Sequence, residues 1–224
     1  MTDYYAKRLA GRRLQRCYEL ASDRVQRYLE SEIRHVCSFI EPHHAVVELG
    51  CGYGRVAMRL AEHAKSVTGI DVAAESLELA ADLGKPFDNL TFEYMDALDM
   101  AFPDAAFDIL VCIQNGICAF GVDQAALLRE ALRVTRPGGL LLLSSYSDTF
   151  WPHRLAWFEA QSSEGLLGPI DYDATGDGVI ACTDGFRSGR LTPEQFASLC
   201  ATVGMTSTIR EVDHSGLFCE IVRP

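Results

Sequence analysis

The chain contains no hydrophobic run approaching the roughly 18 to 20 residues that a membrane span needs. Its first residues, MTDYYAKRLAGRRLQRC, lack the apolar core of a secretory signal. Both absences lead to the expectation of a cytoplasmic protein without a membrane anchor. Positive charge is also in short supply: 20 Lys and Arg stand against 31 Asp and Glu, a formal net charge of -11. The deficit is uneven, because residues 1–36 hold eight basic and five acidic side chains, leaving the excess negative charge to everything after them. A field of that sign repels polyanions, which disfavours nucleic-acid substrates unless the N-terminal segment makes the phosphate contacts. Metal signatures are missing as well. The eight cysteines form no C-x-x-C pair and sit mostly in apolar runs, which suits buried reduced thiols. There is no H-E-x-x-H, and His43 and His44, being adjacent, would point apart on a strand. No metal is expected.

No internal repeat, low-complexity tract or linker interrupts the 224 residues, a length that suits one domain. What is present is alternation. Val25, Tyr28, Leu29, Ile33, Val36, Cys37 and Ile40 recur at helical spacing behind a Ser22 or Asp23 cap. Short strand-type runs follow at 45–49, 66–71, 90–96, 107–113 and 139–146, with helical patterns near 54–63, 74–83 and 123–135 between them. Such alternation predicts an α/β fold with a doubly wound, mostly parallel sheet. Later come an aromatic helix (WPHRLAWFEAQ), a Gly/Asp-rich stretch, an extra strand in VIACTDGF, and a helix opened by Thr192 and Pro193 and stopped by Gly204. TSTIREVD and GLFCEIVRP, joined by HSG, predict a closing antiparallel hairpin and bring the sheet to seven strands. The expected organisation is an N-terminal helical lid (1–43), a cofactor-binding core (44–147), a substrate-facing insertion (148–190) and a C-terminal helix and hairpin (191–224).

The densest signal is VVELGCGYGRVAMRL, residues 46–60, with Gly50, Gly52 and Gly54 between a strand and a helix. Glycines there let backbone approach a ligand, and the helix start offers free N–H groups. The spacing is G-x-G-x-G, whereas a dinucleotide fingerprint has G-x-G-x-x-G; its third glycine position is Arg55 here. Glu48 directly before the loop would repel a pyrophosphate but suit an ammonium or a sulfonium. Asp71 ends the next strand, 21 residues after Gly50, where a carboxylate can take a ribose diol. Asp96 ends the third strand, where it can accept from an exocyclic adenine amine, or can simply be a turn residue.

With these anchors in order, the chain resembles the class I S-adenosylmethionine-dependent methyltransferases. ELGCGYGR matches the cofactor loop, GIDVAAESLELA the ribose strand, DALDMAFPDAAFDILVC the adenine strand and its successor, and ALRVTRPGGLLLLSS the late helix and strand. The resemblance is strong over about 44–147 and looser beyond. It implies a Rossmann-like methyltransferase fold and S-adenosyl-L-methionine as cofactor, with S-adenosyl-L-homocysteine as product. It further implies that Glu48, Gly50, Cys51, Gly52 and Gly54 take the methionine end, Asp71 the ribose, and Asp96 and Ala97 the adenine. Val72 and Leu98 would flank the ring, or be plain core, and Ile113 and Gln114 would complete the site from the fourth strand.

The acceptor is left open. Gln114, Asn115 and Gly116 stand where nucleobase amino-methyltransferases carry N/D-P-P-Y/F, no Pro-Cys pair is present, and the acidic set of magnesium-dependent catechol enzymes is absent. These absences favour a small molecule with a nitrogen, oxygen or sulfur nucleophile. A protein or RNA substrate docking on the basic N-terminal helices, a silent cofactor-binding scaffold and a nicotinamide oxidoreductase are the alternatives. If a base is needed, His153, Tyr18 and Tyr146 are candidates, although the tyrosines could be core and His153 an exposed helix-start residue. Asn115, Trp151 and Arg187 are candidate substrate contacts, Arg187 with the alternative of pairing with Asp184. Monomer and homodimer are both compatible with the sequence.

Overall fold

The computed structural model describes residues 3–224. Three helices come first, α1 (Asp3–Arg8), α2 (Gly11–Glu19) and α3 (Asp23–Cys37). Alternation follows through β1 (Ala45–Leu49), α4 (Arg55–Ala61), β2 (Ser66–Asp71), α5 (Ala74–Leu83), β3 (Leu90–Tyr94), β4 (Phe107–Cys112), α6 (Gly116–Ala119), α7 (Gln124–Val134) and β5 (Thr135–Tyr146). The chain ends with α8 (Trp151–Ser163), β6 (Ile180–Ala181), β7 (Arg187–Ser188), α9 (Pro193–Thr202), β8 (Thr208–Val212) and β9 (Gly216–Val222).

Seven strands form one sheet in the order β3-β2-β1-β4-β5-β9-β8. The first five are parallel, and β9 pairs antiparallel with both β5 and β8. Strand alternation sorts the side chains into two layers. Val46, Ile109, Val111 and Leu142 pack towards α3 and α4, whereas Val47, Leu110, Cys112 and Leu141 pack towards α7 and α9. The central strands are therefore apolar on both faces, as a covered parallel sheet requires. The order reverses between β1 and β4, and at such a switch point the strand ends open a crevice.

Local chemistry explains the ends. The Ser22 side chain accepts from Val25 N at 3.5 Å to start α3, and Thr192 and Gln195 form a reciprocal capping box at α9, with Pro193 in its first turn. The β8–β9 turn puts Asp213 and His214 at φ 53° and 51°.

The extra strand expected in VIACTDGF is β6, two residues long, which pairs with β7 in a ribbon apart from the main sheet. Two expectations are corrected. β5 begins at Thr135 rather than 139, with a register irregularity opposite Phe107 and Ile109 where Pro137, Gly138 and Gly139 interrupt the ladder. His43 and His44 precede β1 and sit in a turn, so strand alternation does not separate them; their rings are 4.3 Å apart beside Glu41, on the surface.

A third apolar cluster sits beyond the ends of the sheet. Leu9 of α1's C-terminal flank, Cys17 of α2 and Tyr28 of α3 meet Tyr146, Phe150, Trp157, Phe158 and Phe186 there. The N-terminal helices and the segment after β5 thus share one roof over the crevice. Among the described residues, no helix is long and apolar enough to cross a membrane.

Candidate functional site

β1 delivers its last residues to the switch point, and the backbone then turns through three left-handed glycines, Gly50, Gly52 and Gly54, at φ 69°, 54° and 83°. A β-carbon at Gly50 would stand 2.5 Å from the Phe120 ring, and one at Gly52 2.9 Å from Leu14 of α2. These two positions need glycine for conformation and for space. The loop is tied to the neighbouring strand: Gly50 N and Cys51 N both donate to Ile70 O, at 2.8 and 3.0 Å, and Gly52 N donates to Asp71 Oδ2 at 2.8 Å. The other Asp71 oxygen accepts from Ala73 N at 2.8 Å. Its carboxylate thereby bridges the ends of two strands.

A cavity opens over this loop. Its floor is Glu48, Gly50, Cys51, Gly52, Asp71, Ile113 and Gln114, and its roof is Tyr5, Leu9, Leu14, Cys17 and Tyr18 from the N-terminal helices, with Trp157, Phe158 and Gln161 from α8. Three wall atoms are buried without a partner: Glu48 Oε2, Arg55 Nη2 and Gln114 Nε2. Orphaned polar atoms are costly in a folded interior, so their convergence on one cavity marks a place for a polar ligand. Burial pushes the Glu48 carboxyl up to about 8, with Arg55 and the Ala57 amide pulling the other way and Asp71 adding to the rise. Asp71 is also raised by burial, against the amides of Ala73 and Gly52. The Arg55 guanidinium lies 4.6 Å over the Tyr18 ring.

Residues 46–139 match a family of methyltransferase domains. A 2-methyl-6-phytyl-1,4-hydroquinone methyltransferase of Synechocystis sp. is 31% identical over 110 residues, which cover 49% of this chain and 34% of that protein. An arsenite methyltransferase of Aquipseudomonas alcaligenes is 34% identical over 167 residues, covering 69% of this chain and 47% of that protein. The chain therefore spans less than half the length of either. Among solved structures, the DhpI–SAM–HEP complex has a TM-score of 0.68 at 19% identity, covering 99% of this chain and 95% of that one, a likeness of fold. Residues 46–139 of this chain thus carry a methyltransferase domain, of the class I S-adenosylmethionine-dependent type.

The methyltransferase cavity gathers part of what the sequence singles out. Glu48, Gly50, Cys51, Gly52, Asp71, Ile113, Gln114, Tyr18 and Tyr146 all line it. Gly54 does not: it caps α4 and gives room to Phe92, whose ring a β-carbon would meet at 2.5 Å. Val72, Asp96, Ala97 and Leu98 also lie off the cavity wall. Asp96 is exposed and accepts from Leu98 N at 2.9 Å, and Ala97 is core, in the same cluster as Phe120. Phe120, which belongs to none of the motifs in the sequence, is on the cavity wall.

The outer candidates disperse. His153 is exposed, off the cavity, beside Phe150 at 5.8 Å. Trp151 borders a separate surface cleft, and Arg187 is exposed. Asp184, the alternative partner for Arg187, instead accepts from Tyr4 Oη at 2.6 Å and Arg8 Nη1 at 3.4 Å. Asn115 is buried and fully engaged: its Nδ2 donates to Gly189 O at 3.0 Å and its Oδ1 accepts from Ser145 Oγ at 2.8 Å. Burial pushes the Tyr18 and Tyr146 hydroxyls up, so both are neutral donors near neutrality and neither is a ready base.

Two contributors carried no readable signal. Glu32 of α3 is fully buried, and its Oε2 accepts from Gln114 N at 3.0 Å. Arg154 of α8 is fully buried against backbone carbonyls. Each reads as an ordinary polar residue of a helix, and only tertiary packing gives it a partner.

Proposed function

We propose that the chain transfers a methyl group from S-adenosylmethionine to a nucleophilic nitrogen, oxygen or sulfur atom of a small molecule. The observation that carries this reading is the set of orphaned atoms around the glycine cradle. Glu48 Oε2 is an acceptor suited to the ammonium of the cofactor's methionine end, and Arg55 Nη2 a donor suited to its carboxylate. Asp71, with one amide on each oxygen, keeps lone pairs for a ribose diol. The bound cofactor supplies a methyl group already activated as a sulfonium. What remains for the protein is positioning and exclusion of water, the work of a cavity roofed by α1, α2 and α8.

A small acceptor fits better than a macromolecule. Four of the N-terminal arginines that a docking face would use are engaged within the chain: Arg8 with Asp184, Arg16 with Glu164, Arg24 with Asp213, and Arg13 with the carbonyls of Gly165 and Leu166. The names of the two relatives, a hydroquinone methyltransferase and an arsenite methyltransferase, point the same way. Titration calorimetry with S-adenosylhomocysteine and with NADH tests the cofactor, the expected result being binding of the first alone. Labelled methyl transfer to fractionated metabolites tests the acceptor. Label appearing only in protein or RNA would overturn the small-molecule reading.

A further inference from the structure

Arg154 is fully buried, yet among the described residues it makes no ion pair. Its guanidinium donates to Gly178 O at 2.9 Å, Ser188 O at 2.6 Å, Ser188 Oγ at 2.9 Å and Gly189 O at 3.0 Å, all neutral acceptors. Buried charges are ordinarily paired, because desolvation is otherwise uncompensated. Asp148 and Asp177 border the surface cleft that Arg154 also borders, but Asp148 is tied to Arg190. The guanidinium instead lies 4.2 Å over the ring of Tyr146, and that ring is a wall of the cavity. The guanidinium also lies 5.8 Å from the ring of Phe158, a second residue of the cavity wall, so two aromatic rings separate the cation from the chamber.

The groups facing this chamber come from several elements. Arg55 of α4 adds a second cation, and Asp71 of β2 and Glu48 of β1 stand on the floor, with Glu32 of α3 behind Gln114. Burial holds Glu32 up to about 7 and Glu48 up to about 8, so near neutrality both are protonated to a large extent. Tyr5, Tyr18, Tyr28 and Tyr146, with Cys17 and Cys118, are raised by burial and stay neutral. With the cofactor seated, its carboxylate meets Arg55 and its ammonium meets Glu48, which leaves Arg154 as the cation without a counter-ion beside the cavity, and a sulfonium adds to the positive side. Tyr18 and Tyr146 both line the cavity, and among the described residues neither hydroxyl is hydrogen-bonded.

We propose that the acceptor end of the cavity, between Tyr5, Tyr18, Tyr146, Trp157 and Phe158, takes a planar molecule with an acidic hydroxyl, a phenol or an enol, and holds it as the oxyanion, with Tyr146 donating to the oxygen and Arg154 acting through Tyr146. The inference rests on the methyl-transfer reading and names the acceptor for it. Aromatic walls suit a flat apolar ring, and hydrogen bonds to a charged oxygen are the strong ones. An ammonium-bearing acceptor would meet an uncompensated arginine instead. In the reaction the hydroxyl proton leaves to solvent as the acceptor binds. The oxygen–carbon bond then forms as the sulfur–carbon bond breaks, and the electron pair of the broken bond stays on sulfur, giving an ether and a neutral thioether. No side chain has to remove a proton during transfer, which agrees with a cavity where no histidine stands on the wall.

The test uses para-nitrophenol, whose ionisation is visible by absorbance near neutrality, with protein saturated in S-adenosylhomocysteine. The ionisation midpoint of the bound probe should fall by about one pH unit or more. Para-nitroanisole, the same ring without the acidic hydroxyl, should bind about ten-fold or more weakly once the phenol is ionised. Tyr146→Phe keeps the ring and should remove most of that preference, its fold being checked by thermal melting against wild type, and a variant that melts as wild type and keeps the full preference would overturn the role of Tyr146. An unshifted or raised midpoint, equal binding of the two probes, or no binding of para-nitrophenol to protein that binds S-adenosylhomocysteine would each overturn the oxyanion site and leave the methyltransferase reading standing. Failure to bind S-adenosylhomocysteine at all would take down both.

Discussion

Glu48 couples the fold to pH in a direction opposite to most carboxylates. Its acid is raised from 4.5 to about 8, burial being the largest cause, so the folded state binds a proton that the unfolded state gives up. Stability from this group is complete below about pH 4.5 and is lost as pH rises through about 8. Glu48→Gln should therefore melt close to wild type near pH 5 and above it near pH 9, in paired scanning-calorimetry runs. A parallel pH dependence in the two proteins would place the proton elsewhere. An ammonium seated beside Glu48 reverses the preference by favouring the carboxylate. Binding of S-adenosylhomocysteine should then expel a proton at neutral pH and tighten as pH rises towards about 8. Calorimetry in two buffers of different ionisation enthalpy reads that proton directly; identical heats would remove the ammonium from Glu48. Asp71 behaves differently, because its oxygens already hold Gly52 and Ala73. Asp71→Ala removes both a ribose acceptor and a tether of the loop, and S-adenosylhomocysteine should bind ~1.5 to 3 kcal/mol more weakly. Unchanged affinity in a folded variant would exclude Asp71 from the site.

The turn from β4 into α6 shows how an element places a functional group. Gln114 and Asn115 are both left-handed, at φ 56° and 64°, with no glycine at either position. Gln114 N is held by Glu32 Oε2 and by Ser144 Oγ at 2.8 Å, and the Asn115 side chain spans from Ser145 to Gly189. The turn is over-determined from three sides, which aims the Gln114 amide at the cavity. Asn115→Ala loses two buried hydrogen bonds and puts an alanine at positive φ, about 2 to 4 kcal/mol together. Asn115→Gly loses the same bonds without the backbone penalty and should be about 1 kcal/mol milder in urea unfolding. Equal losses would mean that the backbone there relaxes. The place of Gln114 at the site was legible from the end of the fourth strand, but the network that holds the turn was not, since Glu32, Ser144, Ser145 and Gly189 lie far from it in sequence. The β1–loop–α4 unit and Asp71 were legible, because their chemistry is local: strand alternation, glycine spacing and a carboxylate at a strand end lie within a few residues of one another. Glu32, Phe120 and Arg154 act across long sequence separations on elements whose own patterns are ordinary.

At the scale of the molecule, the cavity has a rigid half and a half that must yield. The floor is the parallel sheet, whose central strands are buried on both faces. The roof is held by fewer ties. α2 is anchored by Gly11 N donating to Ser76 Oγ at 2.9 Å, by Arg13 on the carbonyls of Gly165 and Leu166, and by Trp157 Nε1 donating to Cys17 O at 2.8 Å. Its N-cap, Ala10, supplies no side-chain oxygen. α1, six residues long, rests on Phe186 through Tyr4 and Tyr5. Short helices with one missing cap depend on tertiary contact for their stability, and local opening draws on the least stable elements. Leu14 and Cys17 also stand directly over the glycine loop, so a ligand reaching Gly52 must pass this roof or form beneath it. Amide exchange should accordingly be fast across residues 4–19 and slow across β1 and β4 in the free protein. S-adenosylhomocysteine should slow it ten-fold or more across 4–19 with little effect on α7 and α9, which pack behind the sheet. Protection of 4–19 as strong in the free protein as in the complex would mean that the roof is fixed, and entry would have to lie elsewhere.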